Sequence, residues 1–365
     1  MSDIQKVVDD RSYNQDQLSE RLANAGLLPM FGFPTRVRLL YTKFPRKSQQ
    51  WPPETGIIDR DLEIALSQFV PGSQTVKDKE VHTACGVVEL YSQGGFVKSK
   101  AGLFPPLTEK NTSLGLCGNC QAVAFPHTPL DRLPPGKKKP PSKECPVCGV
   151  EELREIDARE PKGFFTDLMP DDFDGQFEWT PNSSRPSLSI SADVKEPSLI
   201  QQTNSLVSAF DENIISINDD GGQGGFDFHE KVKIDGQYKS GAYAIEPVQN
   251  KKVSVSGDSY RIALLSKRKT DILLVNLDQC PAGVLAESTS IEGRAAWYSF
   301  AFWLRVAAGS LLDIDPQELQ AGFRSVKDPT TGKIIGQAFL CDQLDNGAGY
   351  SSHLAEPENF KSLLS

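Results

Sequence analysis

The chain has 365 residues, 38% of them hydrophobic and 24% charged, and a formal net charge of −9. That length suits two or three domains with buried cores, and no stretch approaches the roughly 18–20 continuous apolar residues of a membrane helix. The polar opening Met1–Gln17 is not a secretory signal, and the acidic balance argues against indiscriminate nucleic-acid binding while allowing local basic patches.

Gln17–Ala25 reads as a short amphipathic helix ended by Gly26. Pro29, Gly32 and Pro34 then break the chain into turns, and Val37–Tyr41 reads as a strand. On a strand, Arg36 and Arg38 share one face, with Val37 and Leu39 on the other. Trp51–Glu54 is a proline-rich loop, and Asp61–Phe69 suits a short helix or a strand. Pro71-Gly72 is a turn, and Val81–Tyr91 is rich in strand formers.

Residues 114–150 carry the most informative pattern. Cys117 and Cys120 form C-G-N-C, and Cys145 and Cys148 form C-P-V-C-G, with 24 residues between the pairs. Each C-x-x-C knuckle turns two thiolates to one side of a tight loop, and two knuckles complete a four-sulfur shell for Zn2+. A closed shell of this kind stabilises a local fold and has no open position for chemistry. Gly118 and Gly149 suit backbone with positive φ near the ion, and His127 is an alternative ligand inside the ribbon. Between the knuckles, Pro134–Pro141 places Lys137, Lys138 and Lys139 on a polar loop. The other cysteines, Cys85, Cys280 and Cys341, are scattered, which fits small buried residues in a reducing cytoplasm.

From Ala158 to Pro247 short alternating runs predict β structure, with Asp219–Gly225 as a flexible turn. Tyr260–Leu265 and Asp271–Leu277 read as a strand pair separated by K-R-K-T. Ile291–Leu312 reads as a long helix. Its core face is expected to hold Ala295, Tyr298, Phe302, Leu304, Ala308 and Leu311, widened by Trp297 and Trp303. Asp315-Pro316 is a helix start, with Asp as N-cap, Pro at N1 and Gly322 as the stop. Phe323–Val326 and Ile334–Asp342 flank a D-P-T-T-G-K hairpin, and Asp345–Ser351 leads from a glycine turn into a helix. The expected fold is α+β: a β-rich N-terminal and middle region with an inserted four-cysteine zinc ribbon, then a C-terminal α/β module. The expected regions are residues 1–113, 114–150, 151–258 and 259–365.

Motifs for phosphate-loop ATPases, zinc proteases and serine hydrolases are absent from the sequence, so the chain reads as a non-enzyme. Candidate nucleic-acid contacts are Arg36, Arg38, Lys43, Arg46 and Lys47, helped by Lys137, Lys138 and Lys139. The alternative for Arg36 or Arg38 is an ion pair with an internal carboxylate. Two other functional readings compete. One is a scaffold that recognises only protein; the other is a metal-dependent nuclease using Asp342, Asp345 and the adjoining glycine turn.

Several long segments resemble a known family. They are Leu22–Arg38 (L-A-N-A-G-L-L-P-M-F-G-F-P-T-R-V-R), Phe69–Lys79 and the two-knuckle ribbon, followed by Glu160–Asp167 (E-P-K-G-F-F-T-D). Towards the C-terminus they are T-D-I-L-L, A-A-W-Y-S, L-D-I-D-P-Q-E-L-Q-A-G and D-Q-L-D-N-G-A-G-Y-S-S-H-L. Together they resemble the DrmB component of DISARM anti-phage systems and the MrfA-like zinc-binding domain that ends many DNA helicases. The resemblance implies a cytoplasmic accessory protein that binds DNA beside a partner helicase, since the family's ATPase motors are missing here. The family domain also continues into a C-x-x-x-C-x-x-C-L cluster. This chain ends at Ser365 before it, which implies a truncated or split copy.

Overall fold

The spine of the molecule is one 25-residue strand, Val253–Leu277. It is seen in a computed structural model that describes residues 36–45, 53, 55–128, 142–175, 185–247, 252–279, 286–328 and 331–365, with isolated positions before residue 36. On one edge this strand pairs antiparallel with Phe226–Ile234 and then with Ser205–Asn218. On the other edge it pairs parallel with Ala158–Arg159 and antiparallel with Ile334–Asp342. The boundary expected between residues 258 and 259 falls inside this strand.

The strand pair expected around K-R-K-T is therefore one continuous strand. The basic run alternates as a strand must: Lys267 and Lys269 are exposed and Arg268 is buried. Arg268 bonds Glu63 at 2.8 Å and Gln320 at 2.6 Å, and it also donates to the Asp342 carbonyl. With its charge paired inside, the backbone has no reason to turn.

Glu63 lies on helix α1 (Leu62–Gln68), whose N-cap Asp61 accepts from the Glu63 N–H at 2.9 Å. Between the helix and strand readings of this segment, the cap selects the helix. In front of it, Val37–Tyr41 is a strand at the expected residues. It pairs antiparallel with Ile57–Asp61 and parallel with Phe164–Thr166. The core of this N-terminal part gathers Leu40, Leu66, Phe69, Phe164 and Phe228, with Phe69 and Phe164 edge to face at 5.8 Å. The expected helix Gln17–Ala25 and loop Trp51–Glu54 lie outside the continuous described stretches, as do Arg46, Lys47, Lys137, Lys138, Lys139 and Cys280.

In the C-terminal part, Leu319–Lys327 and Ile334–Asp342 form the expected hairpin. Helix α2 spans Ile291–Leu312, as expected, with Ser290 as N-cap. The segment after Asp315-Pro316 differs from expectation. Asp315 does cap a first turn, but that turn is a three-residue 3-10 helix, Pro316–Glu318. Leu319, Ala321 and Phe323 then alternate into the core, and this period of two makes the segment a strand. Helix α3 (Tyr350–Leu354) follows the glycine turn, and α4 (Pro357–Leu364) ends the chain.

Helix α2 is buried on a different face from the one expected. Trp297, Ala301, Leu304 and Ala308, spaced for one helix face, pack on the sheet against Leu273, Val275, Phe323 and Leu340. The Trp297 indole lies against Gly336, where any Cβ would overlap it, and its N–H donates to the Ala286 carbonyl at 2.9 Å. Phe302 and Trp303, expected in the core, are each 48% exposed, and Ala295 and Leu311 are also exposed. A sheet covers only one side of a helix, whereas this sequence is apolar on both. The mixed, strand-rich architecture agrees with the α+β expectation.

Candidate metal centre

The ribbon is a four-stranded antiparallel sheet in the order Ser142–Lys143, Leu153–Ile156, Leu114–Cys117, Val123–Ala124. Its two knuckles are built alike. In the first, the Cys117 N–H donates to Ala122 at 3.0 Å and the Gln121 N–H donates back to Cys117 at 3.1 Å. In the second, the Cys145 N–H donates to Val150 at 2.9 Å and the Gly149 N–H donates to Cys145 at 2.8 Å. The residue after the second cysteine is left-handed in both, Gln121 at φ 59° and Gly149 at φ 71°. Gly149 thus has the expected conformation and Gly118 does not. Gly118 is instead a site of close approach, where its N–H donates to the Glu152 carbonyl at 3.1 Å and a Cβ would crowd the Glu152 carboxylate.

The four sulfurs of Cys117, Cys120, Cys145 and Cys148 lie within 4.8 Å of one another. Cys117–Cys148 and Cys120–Cys145 are both 3.7 Å apart. A tetrahedral ion with metal–sulfur bonds of about 2.3 Å requires sulfur–sulfur edges of about 3.8 Å. Three of the cysteines are buried and Cys148 is half-buried. Backbone N–H groups of Cys120 and Asn119 face the Cys117 sulfur, and those of Cys148 and Val147 face the Cys145 sulfur. Such donors favour thiolate. The hydrogen bond from the Cys120 thiol pulls Cys117 down to about 5, and the same bond pushes Cys120 up. Burial pushes Cys145 up. Four sulfurs so close cannot all ionise by themselves; a dication at their centre removes that conflict. The residues fit a metal site, and all four ligand positions are filled by protein.

The ribbon is seated on the rest of the chain. Arg294, at the start of α2, donates to the Asn119 carbonyl at 2.8 Å, and the Ser325 hydroxyl donates to the Cys120 carbonyl at 2.6 Å. Ile190 and Ile334 pack against the cysteine cluster. The sequence carries no mark of these four residues, because they lie far from the knuckles along the chain and only folding brings them there. His127 is not part of the cluster; its Nε2 is 3.4 Å from the Glu155 carboxylate.

The other predicted site residues are placed differently. Arg38 pairs with Glu160 at 2.7 Å and donates to the Pro161 carbonyl at 2.7 Å. Arg36 pairs with Asp345 at 3.6 Å and donates to the Ser266 hydroxyl at 2.8 Å. Each side chain is only 13% exposed. This is the internal-carboxylate alternative, and it leaves neither guanidinium as a free outward charge. Lys43 is exposed.

Asp342 is fully buried. One carboxylate oxygen accepts from Ala348 and Tyr350 N–H groups at 2.7 and 3.0 Å, and the other from the Ser351 N–H and hydroxyl at 3.0 and 2.7 Å. It therefore clamps the glycine turn onto α3 and has no lone pair left for an ion. Beside it, Asp271 accepts from the Gly349 N–H at 3.1 Å and stands directly across the sheet from Asp211. Burial, then the hydrogen bond shared with Asp211 and the Asp342 charge, pushes Asp271 up to about 7.

No family model matches the chain. In sequence the chain is similar to "Druantia protein DruE" of Escherichia coli (strain UMEA 4076-1), 24% identical over 374 residues. That match covers 93% of this chain and 19% of the relative, so the chain spans about a fifth of the relative's length. Among solved structures, it is similar to a crystal structure of the DUF1998 helicase MrfA bound to DNA, with a TM-score of 0.31 and 10% identity. That likeness covers 75% of this chain and 32% of the helicase. No helix among the described residues is long and apolar enough to cross a membrane.

Proposed function

We propose that this chain is a zinc-binding, non-catalytic accessory module of a helicase-based anti-phage defence system, contributing DNA binding and docking to a helicase polypeptide. The observation that carries the reading is the closed four-sulfur pocket on two matched knuckles. A site with all four positions taken by thiolates organises the fold rather than acting on a substrate. The defence context rests on the sequence resemblance to anti-phage components, and the similarity to a Druantia protein supports it. Assignment to DISARM and to DrmB is the narrower form of the same proposal.

With Arg36 and Arg38 committed to internal pairs, phosphate contacts fall to Lys43, Arg46 and Lys47, to exposed Lys267 and Lys269, and to Lys137, Lys138 and Lys139. Lys267 Nζ sits 5.7 Å from the Phe125 ring centre, where the ribbon meets the long strand. Lysine contacts to phosphate release counterions, so binding should be largely independent of sequence and weaken steeply with salt. A gel-shift salt series on the purified chain, with and without a helicase partner, tests this. Retained zinc with no salt-sensitive DNA binding in either arm would leave the protein-only scaffold. Metal-dependent DNA cleavage that is lost in Asp342→Asn would favour the nuclease reading instead.

A further inference from the structure

Arg294 stands where a cation is out of place by itself. It lies in the first turn of α2, at the positive end of the helix dipole. It is half-buried, and among the described residues no carboxylate lies within ion-pair distance of it. Its Nη1 group gathers three carbonyls instead: Asn119 at 2.8 Å, Thr289 at 3.0 Å and Ser288 at 3.2 Å. Two of these belong to the segment that leads into its own helix. The third belongs to the first knuckle, 175 residues away along the chain.

The Asn119 carbonyl and the Cys120 N–H are the two ends of one peptide group. The N–H end faces the Cys117 sulfur. The guanidinium, the peptide and the sulfur therefore form one chain of hydrogen bonds. A charged donor on the carbonyl draws electron density through the peptide and makes its N–H a stronger donor. A stronger donor stabilises negative charge on the sulfur it meets. Ser325 backs the next peptide: its hydroxyl donates to the Cys120 carbonyl at 2.6 Å, and the Gln121 N–H returns to the Cys117 carbonyl at 3.1 Å. That bond braces the turn and leaves the sulfur alone. In the second knuckle the Val147 and Cys148 N–H groups face Cys145 in the same way. The matching carbonyl there, that of Val147, takes no donor from a described side chain. The two knuckles share a backbone pattern and differ in what stands behind it.

We propose that Arg294 is a positioning residue of the metal centre: through the Asn119–Cys120 peptide it strengthens the hydrogen bond to the Cys117 thiolate and tightens the pocket's hold on its ion. This inference rests on the metal-binding reading of the pocket. Outer partners of this kind typically contribute roughly 10–100-fold to metal affinity. Because the guanidinium comes from α2, the ribbon's affinity depends on a helix outside the ribbon.

The test is a titration of the full chain with Zn2+, and separately with Co2+, against a competing chelator. Arg294→Gln should bind zinc roughly tenfold more weakly or worse, and Arg294→Lys, which keeps the charge, should lie closer to wild type. In the cobalt form the thiolate-to-metal charge-transfer band of Arg294→Gln should move to longer wavelength, because a weaker hydrogen bond leaves the sulfur electrons easier to transfer. Arg305→Gln is the control. Arg305 is also half-buried on α2, but it donates to the Pro316 carbonyl at 2.6 Å, so its loss should move neither readout. If Arg294→Gln does not fold, Arg294→Lys carries the test through the same two readouts. Wild-type affinity in Arg294→Gln would overturn the proposal. So would an equal loss in Arg305→Gln, a lysine variant no better than the glutamine one, or weaker binding with an unmoved cobalt band, which would make Arg294 a strut of the fold only. A wild-type chain that binds neither ion would remove the metal reading itself, and this inference with it.

Discussion

The four-cysteine pocket and the Asp342 turn look alike in one respect. Each buries several potential metal ligands beside a tight turn containing glycine. They differ in where the hydrogen-bond donors go. In the ribbon, the knuckle amides reach Cys117 and Cys145, and the four sulfurs still face one another across edges of 3.7 Å. At Asp342, four donors occupy both carboxylate oxygens. The first arrangement needs a cation to be comfortable; the second is already neutralised by dipoles. Residue type alone does not distinguish such clusters. The count of unclaimed lone pairs does.

The largest test of this contrast is on the sulfur side. Cys120→Ser should release the metal ion proposed for this pocket and melt the ribbon, because metal binding supplies the local folding energy, on the order of 10 kcal/mol in small zinc folds. Elemental analysis read alongside thermal melting checks it; wild-type protein purified reduced, without chelator and without zinc, would remove the metal from the account. Asp342→Ala should come next. It leaves three N–H groups and a hydroxyl, those of Ser351 buried, without their acceptor, for a cost of about 3–5 kcal/mol, and should leave the metal content unchanged. If Asp342→Ala instead folds normally and loses a metal ion, the comparison fails.

Ser325→Ala probes the seat of the ribbon. It removes the donor to the Cys120 carbonyl and should cost about 1–2 kcal/mol, with zinc retained but hydrogen exchange faster in the first knuckle. Retained protection there would mean that the hydroxyl contributes nothing to docking. The smallest effect is a pH dependence. Asp271 is pushed up to about 7 by burial and by the bond to Asp211, so the fold keeps a proton that the unfolded chain gives up near pH 4. Stability from this group is full below about pH 4 and is lost as pH rises towards 7. Asp271→Asn mimics the protonated form, so it should flatten that decline and match or slightly exceed wild type at pH 7. Denaturant melts at a series of pH values read this out, and a variant with the wild-type slope would show that the pair does not share a proton.

Much of the local structure was legible. The extent of Val37–Tyr41 followed from strand formers and turn residues and that of α2 from helical spacing of apolar residues, and the cysteine spacing specified the sulfur shell. Where local signals competed with distant partners, they lost. K-R-K-T reads as a turn until Glu63 takes the Arg268 charge. Leu319–Ala321 reads as the rest of a helix until Leu319, Ala321 and then Phe323 alternate into a core.

By itself the sequence determined the strand-rich class, the long helix and the ribbon. These depend on periods, backbone preferences and ligand spacing, all of which act within a few residues. Tertiary structure alone decided which face of α2 is buried, which arginines are consumed in ion pairs, and which acids keep a free lone pair. Those outcomes turn on groups such as Glu160, Asp345 and Ser325, which meet their partners only after chain segments more than a hundred residues apart have come together.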